Sequence, residues 1–237
     1  MTDKQKIFLP GSDQQLRFLT GEINMSGMLT AVFGSGSQRI ARRLSEETKN
    51  KVELIVEDYE SLITAELELS NSPEVKTRMM SFSATDFESD SFDLVYAQAS
   101  VSGTSRVKIL KEIKRILKPG GILCAGEIVR LSKETPRFVL DVWNSSGLSP
   151  VYQDEIESYY KEKNFSIVKS ADLSKTLKDF YTMGAGQLKR NLGQMTEQEK
   201  SFNKKLINRM SHETNVYLKQ GGDKHIGFRV LIVKNEK

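Results

Sequence analysis

Apolar residues in the first half of the chain fall into short unbroken runs separated by amphipathic stretches. The runs "MLTAVF" (28–33), "VELIV" (52–56), "SFDLVYAQ" (91–98) and "ILCAGEIV" (122–129) predict strands buried on both faces. "PEVKTRMMSF" holds a weaker strand between the second and third of these runs. Helical spacing fills the gaps. "SQRIARRLSEE" sets Ile40 and Leu44 four apart, "YESLITAELEL" follows the second strand, and residues 105–117 align Val107, Leu110, Ile113 and Leu117 on one face. "KPGG" (118–121) predicts the end of that last helix, because proline stops it and glycine permits a left-handed turn. Upstream, residues 13–20 read as a short helix, with Leu16 and Leu19 three apart.

Strands alternating with crossover helices predict an α/β fold of three layers, with a doubly wound, mostly parallel, seven-stranded sheet. The alternation breaks in the second half. Residues 134–147 and 153–163 look helical, 165–173 read as a strand, a helix is expected near 196–219, and 225–234 form the final strand. The long excursion before that strand predicts a helical cap inserted over the sheet. The organisation is therefore an N-terminal helical segment (1–27) and one domain (28–237), with cap elements at 134–163 and 174–222. A chain of 237 residues suits one domain with an inserted subdomain.

Composition narrows the partners. With 35 basic and 31 acidic residues the net charge is only +4, and the lysines are scattered among acids and apolar positions. Such patterns are solvated helix faces and argue against a nucleic-acid partner. No apolar run reaches the roughly 18–20 residues of a membrane span, so membrane insertion is not expected. The opening "MTDKQKIFLPGS" lacks the apolar core of a secretory signal. The single cysteine, Cys124, excludes an internal disulfide and a cysteine-cluster metal site. Together these features point to the cytoplasm. Composition says nothing about oligomeric state.

Chemistry concentrates where the first strand ends. In "AVFGSGSQR" (31–39), Gly34, Ser35 and Gly36 form a turn in which backbone can approach a ligand, and the next helix offers unpaired N–H groups. The dinucleotide pattern G-x-G-x-x-G fails at Arg39, and no phosphate-cradling lysine motif follows, so a pyrophosphate is not expected. The second strand ends in "IVED". An acid there can accept hydrogen bonds from both ribose hydroxyls; Glu57 is the favoured candidate and Asp58 the alternative.

Four segments, "FGSGSQRIARRL", "LIVEDYESL", "DFESDSFDLVYAQ" and "EIKRILKPGGIL", together resemble the class I S-adenosylmethionine-dependent methyltransferases. Within that family the chain is most similar to the small-molecule type that includes the quinone-biosynthesis enzymes. The resemblance covers about residues 28–130. It implies a methyltransferase-type sheet, S-adenosyl-L-methionine as cofactor, S-adenosyl-L-homocysteine as product and a small-molecule methyl acceptor. It places Gly34, Ser35 and Gly36 around the methionine part of the cofactor, Glu57 at the ribose, Ser81 and Phe82 at the adenine, and Ala97 and Gln98 along the pocket after the fourth strand.

The chain departs from the family at three positions. Val32 stands where the family has a loop acid, Gln38 replaces the third loop glycine, and Ser81 replaces the adenine acid. Each lost charge-assisted hydrogen bond is worth roughly 1.5–3 kcal/mol. A catalytically silent scaffold of the same fold therefore stays open beside an active enzyme, as does a nucleic-acid methyltransferase. No catalytic residue is assigned. Glu127 at the end of the fifth strand, and Tyr96, Tyr152, Tyr159 and Tyr181, are candidates for the acceptor side, with packing as the competing role. His212, His225 and Cys124 read as structural or solvent-facing. "FVLDVW" (138–143) and "LKDFYTMGAG" (177–186) supply apolar surface for an acceptor or for the core of the cap.

Overall fold

The computed structural model describes residues 7–237; the first six residues of the N-terminal segment lie outside this range. Helix α1 (Gln14–Glu22) precedes the alternating half, which runs β1 (Thr30–Phe33), α2 (Gln38–Thr48), β2 (Val52–Val56), α3 (Tyr59–Glu68), β3 (Val75–Met79), β4 (Phe92–Gln98), α4 (Arg106–Ile116) and β5 (Leu117–Arg130). The second half comprises α5 (Arg137–Ser145), β6 (Val151–Tyr152), α6 (Ile156–Glu162), β7 (Phe165–Asp172), α7 (Thr176–Gln194), α8 (Glu197–Phe202), α9 (Lys204–Lys219) and β8 (Ile226–Asn235).

Seven strands lie in the order β3-β2-β1-β4-β5-β8-β7, and the two-residue β6 pairs with the end of β5. Strands β1 to β5 are mutually parallel, whereas β8 runs antiparallel to both β5 and β7. From β1 the chain winds outward through β2 and β3, then returns to the other side of β1 as β4. That reversal opens a crevice at the carboxyl ends of β1 and β4, where ligands of such sheets bind.

The period-2 alternation of each strand divides the core. Ala31 and Phe33 pack with Ile109, Ile113 and Tyr160 of α4 and α6 on one face. Val32, between them, packs on the opposite face with Ile40, Leu44 and Ala65 of α2 and α3. Leu16 and Leu19 of α1 join this second cluster, so α1 belongs to the same helical layer as α2 and α3. A third cluster forms over the carboxyl edge of the sheet, from Val142 and Trp143 of α5, Tyr181 of α7 and Tyr217 of α9, packed on Ile128 and Phe228. This is the core of a cap made by α5, α7 and α9; α6, which falls within the expected cap element 134–163, packs instead with α4 against the face of the sheet that carries Phe33.

Three local features differ from the sequence expectation. Helix α4 ends at Ile116, and "KPGG" lies inside β5. There the register slips, with Phe92 opposite Leu117 but Leu94 opposite Ile122. Gly120 takes φ 74°, and a Cβ on Gly121 would stand 2.9 Å from the Lys118 carbonyl oxygen, so the two glycines make a bulge within the strand. Helix α7 emerges from a stretch whose Gly184, Gly186 and Gly193 weaken intrinsic helicity; packing against α9 and the cap core sustains it. The two residues of β6 carry no periodic signal at all.

Candidate active site

The turn after β1 requires its glycines. Gly34 has φ 145° and Gly36 φ 78°, values that side chains disfavour. A Cβ on Gly34 would also come within 3.1 Å of Ser37 Oγ. The Gly34 N–H donates to the Ile55 carbonyl at 3.1 Å, which ties the loop to β2. Gly34 is buried, whereas Ser35 and Gly36 are exposed. Ser37, at the amino end of α2, is buried and its hydroxyl has no hydrogen-bond partner among the described residues. Val32 is fully buried, so the position where the family has an acid contributes only to packing here. Gln38 is the first residue of α2 and is also buried.

The two acids after β2 have different roles. Asp58 caps α3: its carboxylate accepts the Ser61 N–H and the Ser61 hydroxyl, both at 2.8 Å. Those bonds hold its carboxyl below the usual carboxylate range. It also receives a long contact from the Ser35 hydroxyl at 3.5 Å. Glu57 points across to the loop after β3. Its Oε1 accepts the Phe82 N–H at 2.8 Å and lies 3.5 Å from the Ser81 hydroxyl, and Oε1 alone makes these contacts. The glycine loop, the β2 acids and the Ser81–Phe82 loop thus converge at the switch point. The Phe82 ring is turned inward, 5.4 Å from the Phe33 ring. Ser81 is exposed and shares a 3.0 Å hydrogen bond with Ser83.

At the end of β4 the predicted pair separates. Ala97 is fully buried, and its carbonyl accepts the Gln15 side-chain amide at 3.2 Å. Gln98 is buried as well. Its Nε2 donates to the carbonyls of Pro10 (2.6 Å) and Ser12 (2.8 Å), and its Oε1 accepts the Tyr96 hydroxyl at 2.7 Å. Gln98 therefore anchors the N-terminal segment. The next two residues, which carry no signal in the sequence, also face the crevice. Ala99 adopts φ 64°, the left-handed region, and turns the chain so that the Ser100 hydroxyl donates to the Phe33 carbonyl at 2.7 Å. A Cβ on Gly34 would lie 3.6 Å from Ser100 Cβ, so this turn lies directly against the glycine loop.

Beside it, a cavity of about 120 Å³ lies between the sheet edge and the cap. Ala99 and Ile128 form its floor, while Trp143, Phe180, Tyr181 and Glu213 come from α5, α7 and α9. "FVLDVW" and "LKDFYTMGAG" thus serve both readings, as cap core and as cavity wall. Tyr181 donates its hydroxyl to Glu213 at 2.9 Å and stacks on Tyr217, and burial raises its phenol well above the usual range. Nothing in the pattern of α9 distinguishes Glu213 from the other polar residues of that helix. Only the fold brings it to the cavity.

The other candidates for the acceptor side lie elsewhere. Glu127 is fully buried and bound to Arg106 and Tyr160, because the end of β5 that carries it is covered by α4 and α6. Tyr159 packs on the Arg106 guanidinium, and Tyr152 on that of Arg130. Tyr96 points into the helical layer with α2. His225 pairs with the Ser132 hydroxyl at 2.6 Å, and His212 is exposed on α9.

Comparison with known proteins accords with this geometry. Residues 32–125 match the family model described as a methyltransferase domain. The sterol 24-C-methyltransferase of Debaryomyces hansenii is 33% identical over 101 residues, which are 39% of this chain and 27% of that enzyme. The chain thus matches about a quarter of the length of that relative. Among solved structures, a phosphoethanolamine N-methyltransferase 2 of Haemonchus contortus, bound to phosphomonomethylethanolamine and S-adenosylhomocysteine, superposes with a TM-score of 0.77 at 14% identity, covering 95% of this chain and 53% of that one. The [4+2]-cyclase SpnF superposes with a TM-score of 0.75 at 17% identity, over 94% of this chain and 80% of that one. Over residues 32–125, which carry the glycine loop at the switch point, the chain is thus similar to methyltransferase domains, and its strand order is that of the fold shared with these solved structures.

Proposed function

We propose that the protein transfers the methyl group of S-adenosyl-L-methionine to a small-molecule acceptor held under the cap. The observation that carries this reading is the convergence of three loops at one crevice: Gly34–Gly36 after β1, Glu57 after β2, and Ser81–Phe82 after β3, with Glu57 Oε1 bonded to the Phe82 N–H at 2.8 Å. The residues present suit the cofactor. Gly34 and Gly36 hold positive φ, a Cβ on Gly34 would crowd Ser37 Oγ at 3.1 Å, and the buried Ser37 hydroxyl has no partner among the described residues. Bound S-adenosylmethionine supplies a methyl group already activated on a sulfonium.

The chain's own task is then to bind, position and exclude water. Gly34, Ser35 and Gly36 let the backbone approach the methionine part. Glu57 accepts the ribose hydroxyls, and Ser81 borders the adenine end. Ala97 supports the pocket through its backbone, and Gln98 acts indirectly by holding Pro10 and Ser12 over the edge of the site. The cap closes the acceptor side.

Titration calorimetry with S-adenosylmethionine and S-adenosylhomocysteine tests the reading. Micromolar binding that Glu57→Ala weakens at least tenfold supports it, and absence of binding to the wild type refutes it. A second reading, a protein of this fold that performs no methyl transfer, is favoured by one feature, the burial of Val32 where the family has a carboxylate. The [4+2]-cyclase SpnF, which shares the fold, illustrates that one fold serves several chemistries. Absence of cofactor binding is the result that would favour it.

A further inference from the structure

We infer that the cavity under the cap takes a small cationic amine carrying a neutral oxygen, with the Glu213 carboxylate as its counter-ion; as the identity of the methyl acceptor, this rests on the function proposed above. Among the described residues that line the cavity, Glu213 alone bears a formal charge. Among the described residues its carboxylate accepts only from neutral donors, the Tyr181 hydroxyl at 2.9 Å and the Ser146 hydroxyl at 3.3 Å. These orient the half-buried group, which pairs with no cation among the described residues and shares the cavity wall with Ile128, Trp143 and Phe180. A carboxylate in apolar surroundings favours a cation, and the rings of Phe180 and Tyr181 add the attraction of their faces. The same charge opposes a carboxylate or phosphate on the ligand. Arg130 stacks on the Trp143 ring at 4.9 Å, but it does not line the cavity and its Nε donates to the Pro150 carbonyl.

A second observation specifies the oxygen. Trp143 is 2% exposed and lines the cavity, yet its Nε1–H has no hydrogen-bond partner among the described residues. Buried indole N–H groups are normally paired. A hydroxyl or carbonyl oxygen on the ligand would complete it. The position suits an acceptor, because Ala99 lines the cavity while the adjoining Ser100 packs beside Gly34. In the transfer, the ammonium gives its proton to Glu213, the freed nitrogen lone pair forms the bond to the methyl carbon, and the electron pair of the broken carbon–sulfur bond stays on sulfur.

The test uses three probes of nearly equal shape: 2-(dimethylamino)ethanol, its neutral analogue 3-methylbutan-1-ol, and the anion 3-methylbutanoate. Trp143 is the only tryptophan, so its fluorescence reports entry into the cavity. Titrations are run on the full chain with and without S-adenosylhomocysteine. The expected result is that the amine binds at least tenfold tighter than the alcohol and the carboxylate does not bind. Glu213→Gln should reduce that preference below threefold while leaving S-adenosylhomocysteine affinity unchanged. The inference is overturned if the alcohol or the carboxylate equals the amine, if the amine does not bind, or if Glu213→Gln keeps the tenfold preference. The comparison on the wild type decides the matter even if the variant does not fold. Cofactor binding without amine preference rejects this inference alone, whereas amine preference without cofactor binding rejects the methyltransferase reading and keeps the site.

Discussion

Arg106 gives two hydrogen bonds to one oxygen of Glu127, from Nε at 2.9 Å and from Nη2 at 2.8 Å, while the Tyr160 hydroxyl donates to the other oxygen at 2.6 Å. The third guanidinium donor group, Nη1, reaches the Ser149 carbonyl at 2.6 Å. The group joins the start of α4, the end of β5 and α6 beneath the carboxyl edge of the sheet. Removing one partner of such a pair leaves a buried charge uncompensated and costs about 3–5 kcal/mol. Glu127→Gln should lower unfolding stability in urea by about that amount and change cofactor affinity less than threefold in the folded protein. A catalytic Glu127 would give the opposite result: full stability with activity lost.

Gly34→Ala tests the loop. The added Cβ meets Ser37 Oγ at 3.1 Å, and φ 145° is unfavourable for alanine. Strain of this kind costs about 1–3 kcal/mol. S-adenosylhomocysteine affinity should fall at least tenfold by calorimetry. Unchanged affinity would show that the loop does not touch the ligand.

Gln98→Leu tests the N-terminal anchor. It removes both hydrogen bonds to the Pro10 and Ser12 carbonyls and leaves the Tyr96 hydroxyl without its acceptor. Limited proteolysis should cut near residues 9–12 several times faster than in the wild type. An unaltered cleavage rate would mean that the packing of Leu16 and Leu19 alone holds the segment.

Acid stability should follow Glu112. The hydrogen bonds from Arg115, then those from Thr85, hold its carboxyl down at about 2. Because the folded value is depressed, the contribution is complete above the unfolded value near 4.3 and is lost as pH falls through about 2. It amounts to about 2–3 kcal/mol. Glu112→Gln should flatten the decline in stability between pH 4.5 and 2 by that amount. The same residue binds the Thr85 N–H at 2.8 Å, on the loop that carries Ser81 and Phe82, so the variant should also weaken cofactor binding. A decline identical to that of the wild type would remove Glu112 from this account.

Cys124 offers a control on the core. Burial pushes its thiol up to about 12, and it lies in the layer with Tyr96 and α2. Thiolate is the reactive form. A thiol reagent at pH 8 should label it on the timescale of global unfolding and at once in denaturant. Rapid labelling of the native protein would contradict the packing.

The sequence by itself determined the sheet, the two helical layers and the glycine turn. Each of these rests on local rules: apolar runs, helical spacing, and the backbone freedom of Gly34 and Gly36. The period-2 pattern even places Val32 on the face away from Phe33. The tertiary structure decided what the polar side chains do. Glu127 is an internal counter-ion because α4 and α6 close over the end of β5. Gln98 is an anchor because the N-terminal segment returns across β4, and Glu213 faces a cavity because α9 folds back onto α5 and α7. A carboxylate or amide takes its role from neighbours far along the chain, and local pattern carries no record of them.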